Sequence, residues 1–389
     1  MILRYPEYYE KFSCIAGRCE DTCCAGWEID IDDASYEYYM QVPGKFGERL
    51  RSSIKEYPLE DDGRYEMHGF ILKEGKRCPF LNSDNLCDMI LELGEDAICD
   101  VCTNTPRNFL EYGNAREVSI SPSCAEAGRL IFSGREKTVF VEREIEEALD
   151  FEEDAKELET ADAVRNARDT AIAILQNRQK DIYQRIIDFL IYAREVQECL
   201  NREAYGDIPE CGEEKCLDMQ SAGTELLQDA DYYYFFRERM KSFQELEWMN
   251  EEWGQYLERM EALFFEEGKG KMRYETTFRN FRAYCKKQDK EYQMEHLMVY
   301  YAFLFLARCV DDFNFWGKAQ YCVCSFLMIR DMALERFYQN SEGFTTEDFV
   351  DIVRIFAKET EHSEENLEFL GDEFLFEDIY KCDALCKQI

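Results

Sequence analysis

Proline is confined to the first part of the chain, and this distribution constrains the fold more than any other feature of the sequence. Six of the seven prolines lie at or before Pro122, the seventh is Pro209, and the last 180 residues contain none. Proline interrupts helices because it lacks a backbone N–H and its ring clashes with the preceding turn. A long proline-free stretch with apolar residues at helical spacing therefore predicts an all-helical body.

Apolar periodicity places individual helices in this body. Residues 181–200 predict a helix with one buried face, because their apolar positions recur every three or four residues. These positions are Ile182, Ile186, Phe189, Leu190, Ala193, Val196 and Leu200. The stretch from 142 to about 196 predicts one or two long amphipathic helices. Residues 231–265 and 291–340 predict further helices with a more aromatic face.

The first part of the chain differs in kind from this body. Up to residue 135 it holds nine cysteines, six prolines and short apolar runs separated by turn-forming residues. Residues 27–32 alternate like an edge strand, and Asp33 looks like the start of a helix. We therefore predict a mainly α fold in which a cysteine-rich, loop-rich module (1–135) packs on a helical domain (136–389). A loop near 201–223 divides that domain, and Trp27 and residues 124–132 form the packing face of the module.

Charge and hydropathy exclude several classes of function. The chain carries 82 acidic and 46 basic residues, a formal net charge of −36, and such a surface repels nucleic-acid phosphates and anionic lipids. The longest apolar run, residues 297–307, is too short for a membrane span, which needs about 20 residues. The first residues lack the features of a secretory signal. We expect a cytoplasmic protein with reduced cysteines and no nucleic-acid or membrane partner; its oligomeric state stays open.

The cysteines of the first part form two clusters with metal-ligand character. The spacings are Cys14-x4-Cys19-x3-Cys23-Cys24 and Cys78-x8-Cys87-x11-Cys99-x2-Cys102, followed by Cys124. Thiolates bind zinc and iron–sulfur clusters, which both take four ligands. Only Cys99 and Cys102 have an ordinary zinc spacing and His68 is the sole histidine nearby, so the thiol surplus favours an iron–sulfur cluster with zinc as the alternative. Because Cys23 and Cys24 are adjacent, we expect their side chains to point in different directions.

The other cysteines lie in helical segments without comparable clustering. We predict that they are core or incidental residues, as free cysteine behaves as a small hydrophobic group. They are Cys199, Cys211, Cys216, Cys285, Cys309, Cys322, Cys324, Cys382 and Cys386.

Several motifs resemble the flagellin lysine N-methylase family. They are Tyr8-Tyr9-x2-Phe12-x-Cys14-Ile15-Ala16-Gly17-x-Cys19-Glu20-Asp21-Thr22-Cys23-Cys24-x-Gly26-Trp27, Arg77-Cys78-Pro79-Phe80-Leu81, Leu86-Cys87, Leu93-Gly94-Glu95, Cys99-x2-Cys102, Pro106-Arg107 and Ser119-x-Ser121-x2-Cys124-x-Glu126-Ala127-x-Arg129-Leu130. Glu295-His296-Leu297-x-Val299-Tyr300-Tyr301 resembles a further family motif, with histidine in place of asparagine. The resemblance is dense over residues 8–130 and thin over 140–290. The cysteine block also resembles a broader group of small iron- or zinc-chelating proteins.

The resemblance implies methyl transfer from S-adenosylmethionine to lysine ε-amines of flagellin, with a 4Fe–4S cluster held by the N-terminal cysteines. The amine must lose its proton, although free lysine titrates near 10.4. Carboxylates and tyrosines can orient an amine, and aromatic faces suit the cationic donor. Glu295, Tyr300 and Tyr301 are the candidate catalytic residues, since they share the most apolar helical stretch; the alternative is that both tyrosines are core.

The sequence leaves two other functions open. One is a non-enzymatic iron–sulfur or zinc protein that binds a partner through its helical body. The other is a radical enzyme, which would show C-x3-C-x2-C; Cys19-x3-Cys23 begins that pattern, but Gly26 stands at its third position. No G-x-G-x-x-G follows a predicted strand, so the sequence does not locate a donor-binding site.

Overall fold

Helices dominate the structure, a computed structural model that describes residues 1–58, 66–146, 155–210, 231–249 and 251–389. The helices, numbered in chain order, are α1 (Asp33–Gln41), α2 (Gly44–Ser52), α3 (Asp88–Leu93), α4 (Asp100–Asn104), α5 (Ala125–Ser133), α6 (Ala155–Leu175), α7 (Ile182–Asn201), α8 (Tyr232–Gln244), α9 (Glu251–Phe264), α10 (Gly270–Lys287), α11 (Glu291–Phe305), α12 (Cys309–Asp312), α13 (Phe315–Gln339), α14 (Thr346–Thr360), α15 (Glu364–Phe376) and α16 (Cys382–Cys386). The predicted mainly α fold is confirmed.

The described part of the chain up to residue 146 also contains two small sheets, and the sequence predicted only one of their strands, near residues 27–32. Its strands are β1 (Ile2–Pro6), β2 (Asp30–Ile31), β3 (Ile54–Pro58), β4 (Glu66–Phe70), β5 (Arg107–Tyr112), β6 (Ala115–Ile120) and β7 (Phe140–Glu144). One sheet has the order β5-β6-β1-β7, with β1 parallel to β6 and antiparallel to β7; the other has the order β2-β4-β3. The prediction of a helix starting near 142 is therefore wrong, because these residues form β7 on the edge of β1.

The start of α1 shows how local sequence determines structure in this part. Asp32 Oδ1 accepts a hydrogen bond from the backbone N–H of Ser35 at 2.8 Å, which satisfies one of the free donors of the first turn. The other oxygen, Oδ2, accepts from the backbone N–H of Asp100 at 2.9 Å and so ties α1 to α4. The predicted edge strand and helix start are confirmed by β2 and α1.

The core of the body is built around α11 and α13. Almost every residue of α11 is buried, and most of α13 is buried over its 25-residue length. All seven apolar positions predicted for the buried face of α7 are buried. The helices predicted over 231–265 and 291–340 are present as α8, α9 and α11 to α13. No helix in the described part of the chain is long and apolar enough to cross a membrane.

The N-terminal part packs on the body through α5 and α14. The rings of Phe132 and Phe349 meet edge to face with centroids 5.0 Å apart. A Cβ on Gly128 would lie 3.1 Å from Cγ1 of Val350, so this glycine permits the close approach of the two helices. The predicted packing face over 124–132 is confirmed. The boundary near 135 stays a prediction, since β7 and α14 both join the two sides.

The cysteines predicted as core residues are buried wherever the structure describes them. They are Cys199, Cys285, Cys309, Cys322, Cys324, Cys382 and Cys386. Cys211 and Cys216 lie outside the described residues, as does most of the loop predicted near 201–223; helix α7 extends to Asn201 and a short turn follows at Tyr205–Asp207.

Candidate functional site

Five of the nine N-terminal cysteines share the small core of the N-terminal part. Cys78 and Cys99 are buried in it, and the others pack against it; the five are Cys24, Cys78, Cys87, Cys99 and Cys102. The Sγ atoms of Cys99 and Cys102 are 3.6 Å apart, as their i,i+3 spacing at the start of α4 allows. Burial raises the pKa of Cys78 to about 12, so the thiol is neutral in this apolar setting.

The remaining four cysteines lie where the N-terminal part meets the body. Cys14 and Cys23 are exposed, and Cys19 and Cys124 are half-buried. Cys124 immediately precedes α5 and interacts with Cys19 and Cys14. The neighbouring Cys23 thiol lowers the pKa of Cys24. Cys23 is exposed, whereas Cys24 packs against the small core of the N-terminal part.

The nine N-terminal cysteines are suitable ligands for a soft metal, but their side chains are not arranged as a metal site. Nine thiols gather in one region of the molecule, and thiolates are the ligands that iron–sulfur clusters and structural zinc prefer. Among the described residues, however, no three His, Cys, Asp or Glu side chains converge so as to hold a metal ion. The residues thus do not fit a bound metal as they stand, and we derive no chemical step through one.

Glu295, the first predicted catalytic residue, is enclosed by arginine. Its Oε2 accepts from Nε of Arg178 at 2.9 Å and its Oε1 from Nη2 of Arg178 at 2.8 Å, and Arg185 forms a second ion pair. The side chain is fully buried. Although burial opposes it, the two guanidinium groups hold the pKa of this carboxyl below its ordinary value. Both oxygens are engaged, so the arrangement is that of an internal ion pair.

Tyr300 and Tyr301 lie near the other end of α11, around a carboxylate that sequence reasoning missed. The hydroxyl of Tyr300 donates to Oε2 of Glu361 at 2.8 Å. The hydroxyl of Ser121 donates to the same oxygen, also at 2.8 Å. Tyr301 interacts with the carboxylate as well, and its ring lies 6.0 Å from that of Tyr321. We call Glu361, Tyr300, Tyr301, Tyr321 and Ser121 the Glu361 cluster.

The second oxygen of Glu361 distinguishes this cluster from the ion pair at Glu295. Oε1 is buried and has no hydrogen-bond partner, and the same is true of the hydroxyl oxygens of Tyr301 and Tyr321. Burial raises the pKa of Glu361 to about 7, while the contacts with Ser121, Tyr300 and Tyr301 oppose the rise. Burial also raises the pKa of both tyrosines, so their hydroxyls stay neutral. The cluster can therefore exchange a proton near neutral pH in aromatic surroundings.

An ion-pair network holds the 19–27 loop against α14 beside this cluster. Asp21 Oδ2 lies 2.8 Å from Nη1 of Arg354 and 2.5 Å from Nζ of Lys358, and both cations are largely buried. The Nζ of Lys358 is 5.5 Å from the centre of the Trp27 ring. Trp27 also donates from Nε1 to the carbonyl of Cys23 at 2.8 Å. The cysteine loop and the Glu361 cluster are thus anchored on one stretch of chain, residues 358–361.

A serine and a histidine extend the cluster towards the surface. The hydroxyls of Ser121 and Ser123 are 2.9 Å apart, and Ser123 Oγ lies 3.1 Å from Nε2 of His362. The exposed imidazole of His362 meets the ring of Trp27 at 5.4 Å between centroids. Ser121 belongs to the Ser119-x-Ser121-x2-Cys124 motif, so the sequence pointed to it as well as to Tyr300 and Tyr301. Glu361 itself follows a charged helix end and carries no such signal.

Comparison with known proteins relates the body to one family. Residues 168–388, more than half of the chain, match the model of the FliB lysine N-methylase C-terminal domain. This segment contains Tyr300, Tyr301, Tyr321 and Glu361. It lies largely where the motif resemblance was thin, so the two lines of comparison cover complementary parts of the chain. No solved structure matches.

Curated relatives carry names that agree with the family. A lysine-N-methylase from Salmonella typhimurium strain LT2 is 26% identical over 142 residues, which is 36% of this chain and 35% of that protein. The lysine-N-methylase of Salmonella choleraesuis matches to the same extent. A flagellar biosynthetic protein, FliU, from Salmonella muenchen is 28% identical over 123 residues, 31% of this chain and 71% of that protein. The chain thus spans about a third of the length of the two methylases it matches.

Proposed function

The chain belongs to the FliB lysine N-methylase family, and on this basis we propose that it transfers methyl groups to the side-chain amines of lysine residues in a protein. The match over residues 168–388 is the observation that carries the proposal. The names of the two Salmonella methylases support it. The buried Glu361 cluster lies almost entirely in the matched segment and offers the proton-accepting chemistry that an amine substrate needs.

The methyl donor in this proposal is S-adenosylmethionine. Its sulfonium is cationic, and carboxylates and aromatic rings stabilise such a charge. The chain is rich in both, with 14% aromatic residues and 82 acidic residues. The sequence has no dinucleotide-type glycine motif, so the donor is held in another way than in a doubly wound domain.

Flagellin is the proposed substrate. The name of the FliU relative links that protein to the flagellum, and the motif resemblance implies flagellin as the family's target. The net charge of −36 gives a physical reason for a lysine-bearing surface to approach, since the field of the protein attracts cations.

An iron–sulfur cluster bound by the N-terminal cysteines completes the proposal. The gathering of nine thiols in one region supports it, and convergence of four of them would require the cysteine loops to close together. Purified without oxygen, the protein is then expected to be brown, with a broad visible absorption that bleaches on reduction. A colourless protein with stoichiometric zinc would contradict the cluster and favour a structural zinc site.

The activity is tested by incubating the purified chain with S-adenosylmethionine labelled in its methyl group and with purified flagellin. We expect label in flagellin, with mass increments of one methyl group on lysine. Absence of label, with metal content verified, would contradict the proposal and favour a non-enzymatic binding protein. Label that appears only with a strong reductant would favour a radical enzyme.

A further inference from the structure

The Glu361 cluster combines buried polar atoms that lack partners with a carboxylate that is only half satisfied. Oε2 of Glu361 is occupied by Tyr300 and Ser121, each at 2.8 Å. Oε1 has no partner, and neither do the hydroxyl oxygens of Tyr301 and Tyr321 or Oγ of Ser325. A buried polar atom without a hydrogen bond costs about 1–3 kcal/mol. Four such atoms lie in neighbouring residues of α11, α13 and the end of α14. They therefore indicate a binding site for a polar ligand.

The chemistry of these atoms indicates which kind of ligand the cluster would bind. A free carboxylate oxygen and tyrosine hydroxyls can accept hydrogen bonds from a group that carries several N–H donors, and the surrounding tyrosine rings favour a cation. A primary ammonium has three such donors on a compact head. We propose that the Glu361 cluster binds the ε-amine of the substrate lysine, and that Oε1 of Glu361 accepts its proton. This inference rests on the proposed function and assigns the residues that serve it.

The proton balance is complete with a sulfonium methyl donor as the other reactant. The lysine ammonium gives one proton to the Glu361 carboxylate, which leaves a neutral amine with a free electron pair. That pair forms the new N–C bond while the methyl–sulfur bond breaks and its electrons remain on the now neutral sulfur. The product nitrogen is again positively charged, and Glu361 releases its proton to solvent before the next turnover.

The groups that face Glu361 suit it for this role. Burial raises its pKa to about 7, and the charge of Arg308 lowers it. Tyr300 and Tyr301 on α11 and Tyr321 on α13 stay neutral, as does the buried Tyr8 near Tyr300. Lys358 and His362 are the titratable neighbours on its own segment, and Lys358 is paired with Asp21. A carboxylate in these surroundings is half ionised near neutral pH, where a base works best.

The end of the Glu361 cluster that is nearest the surface lies beside the cysteine loop. Glu361 as a residue is partly exposed although Oε1 is buried, and His362 and Trp27 mark the surface end of the cluster. A lysine side chain is long and thin, so it can place its amine on a buried carboxylate while its backbone stays outside.

The test combines three full-length variants with two readouts. Glu361→Gln removes the acceptor and Tyr301→Phe removes one unpartnered hydroxyl. Glu335→Gln is the control, because Glu335 is also a buried carboxylate but lies elsewhere on α13, where its Oε1 is 3.6 Å from Nε of Arg259. The first readout is calorimetric binding of a flagellin peptide with one lysine, compared with the same peptide acetylated on that lysine. The second is the pH dependence of kcat/KM for methyl transfer, with folding of each variant checked by thermal unfolding.

We expect the wild type to bind the lysine peptide and not its acetylated form. Glu361→Gln should weaken binding of the lysine peptide at least tenfold and lower kcat/KM by roughly 100-fold or more. It should also abolish the increase of kcat/KM with pH that has its midpoint near pH 7 in the wild type. Tyr301→Phe should have a smaller effect in the same direction, and Glu335→Gln should stay within twofold of wild type. Equal binding of both peptides, or a Glu361→Gln variant with the same pH midpoint as wild type, would overturn the inference.

The two proposals fail separately. If flagellin is methylated but Glu361→Gln keeps its turnover within threefold, the inference is wrong and the methylase function stands. If no lysine is methylated but the lysine peptide binds and Glu361→Gln abolishes that binding, the amine site stands and the methylase function is wrong.

Discussion

Two buried glutamates in the same body illustrate how surroundings decide the behaviour of a residue. Glu295 has both oxygens engaged by guanidinium groups and its pKa is lowered, whereas Glu361 has one free oxygen and its pKa is raised to about 7. Charge neutralisation makes the first carboxylate part of the internal structure. Desolvation without a cation in contact makes the second available for proton transfer.

The raised pKa of Glu361 predicts a stability difference that depends on pH. A carboxyl with a higher pKa in the folded state than in the unfolded state binds more protons when folded, so its contribution to stability is greatest below about pH 4.5 and is lost as pH rises through about 7. As pH rises from 5 to 8, the free energy of unfolding of Glu361→Gln should increase by about 2–3 kcal/mol relative to that of the wild type. Urea unfolding at both pH values measures this, and a difference that does not change with pH would contradict the assignment.

Replacement of Glu295 should act mainly on stability. Glu295→Ala leaves the buried Arg185 without its counter-ion, and removal of one partner of a buried ion pair costs about 3–5 kcal/mol. The free energy of unfolding in urea gives this value. Glu144→Gln, on the exposed end of β7, is the control and should change stability by less than about 0.5 kcal/mol. A Glu295→Ala variant as stable as this control would show that the ion pairs are not maintained in solution.

At the scale of elements, the contact between α5 and α14 joins the N-terminal part to the helical body. Phe132→Ala removes a ring that is fully buried and packed on Phe349, so we expect a loss of about 3–5 kcal/mol in the free energy of unfolding. Phe376→Ala, whose side chain is 77% exposed, is the control and should have little effect. Equal transition temperatures for the two variants in a thermal scan would contradict this role of α5.

Elements whose stabilising contacts are local were predictable from the sequence. The buried face of α7 and the start of α1 follow from periodicity and from one capping aspartate. Strand β7 was not predictable, because its partner β1 lies about 140 residues earlier and its own residues read as a charged helix. Glu361 was missed for the same reason: its burial comes from Ser121 and Tyr300, which are 240 and 61 residues away. Tyr300 and Tyr301 were candidates because they lie in the most apolar helical stretch, in a segment that the resemblance also covers.

At the scale of the whole molecule, the cysteine-rich part and the body should behave as one folding unit. Strand β7 pairs with β1, α5 packs on α14, and Asp21 is held by Lys358 and Arg354. If the cysteines bind metal, its removal should lower or broaden the thermal transition of the entire chain. Cys87→Ser should lower metal content, whereas Cys322→Ser, in the core of α13, should not. A fragment starting near residue 142 that melts as sharply as the intact chain would refute this coupling.

Electrostatics at this scale predicts how methylation depends on salt. Attraction between a chain of net charge −36 and a lysine-bearing substrate acts over distance and is screened by ions. Raising ionic strength should therefore reduce kcat/KM more than kcat. Steady-state kinetics between low and physiological salt test this, and equal reduction of both quantities would contradict steering by charge.

Because Ser121 and Glu361 are far apart in the sequence, the Glu361 cluster can form only late in synthesis of the chain. The two residues are 240 positions apart, and at about 5–20 residues per second a ribosome needs roughly 12–48 s to make that stretch. All nine N-terminal cysteines are already made when Ser121 and the three residues after it have been added. In the nascent chain they meet solvent, metal ions and oxidants well before α14 arrives to cover the loop that carries them. A chain that stops short of residue 361 has every cysteine of the N-terminal part and no Glu361 cluster.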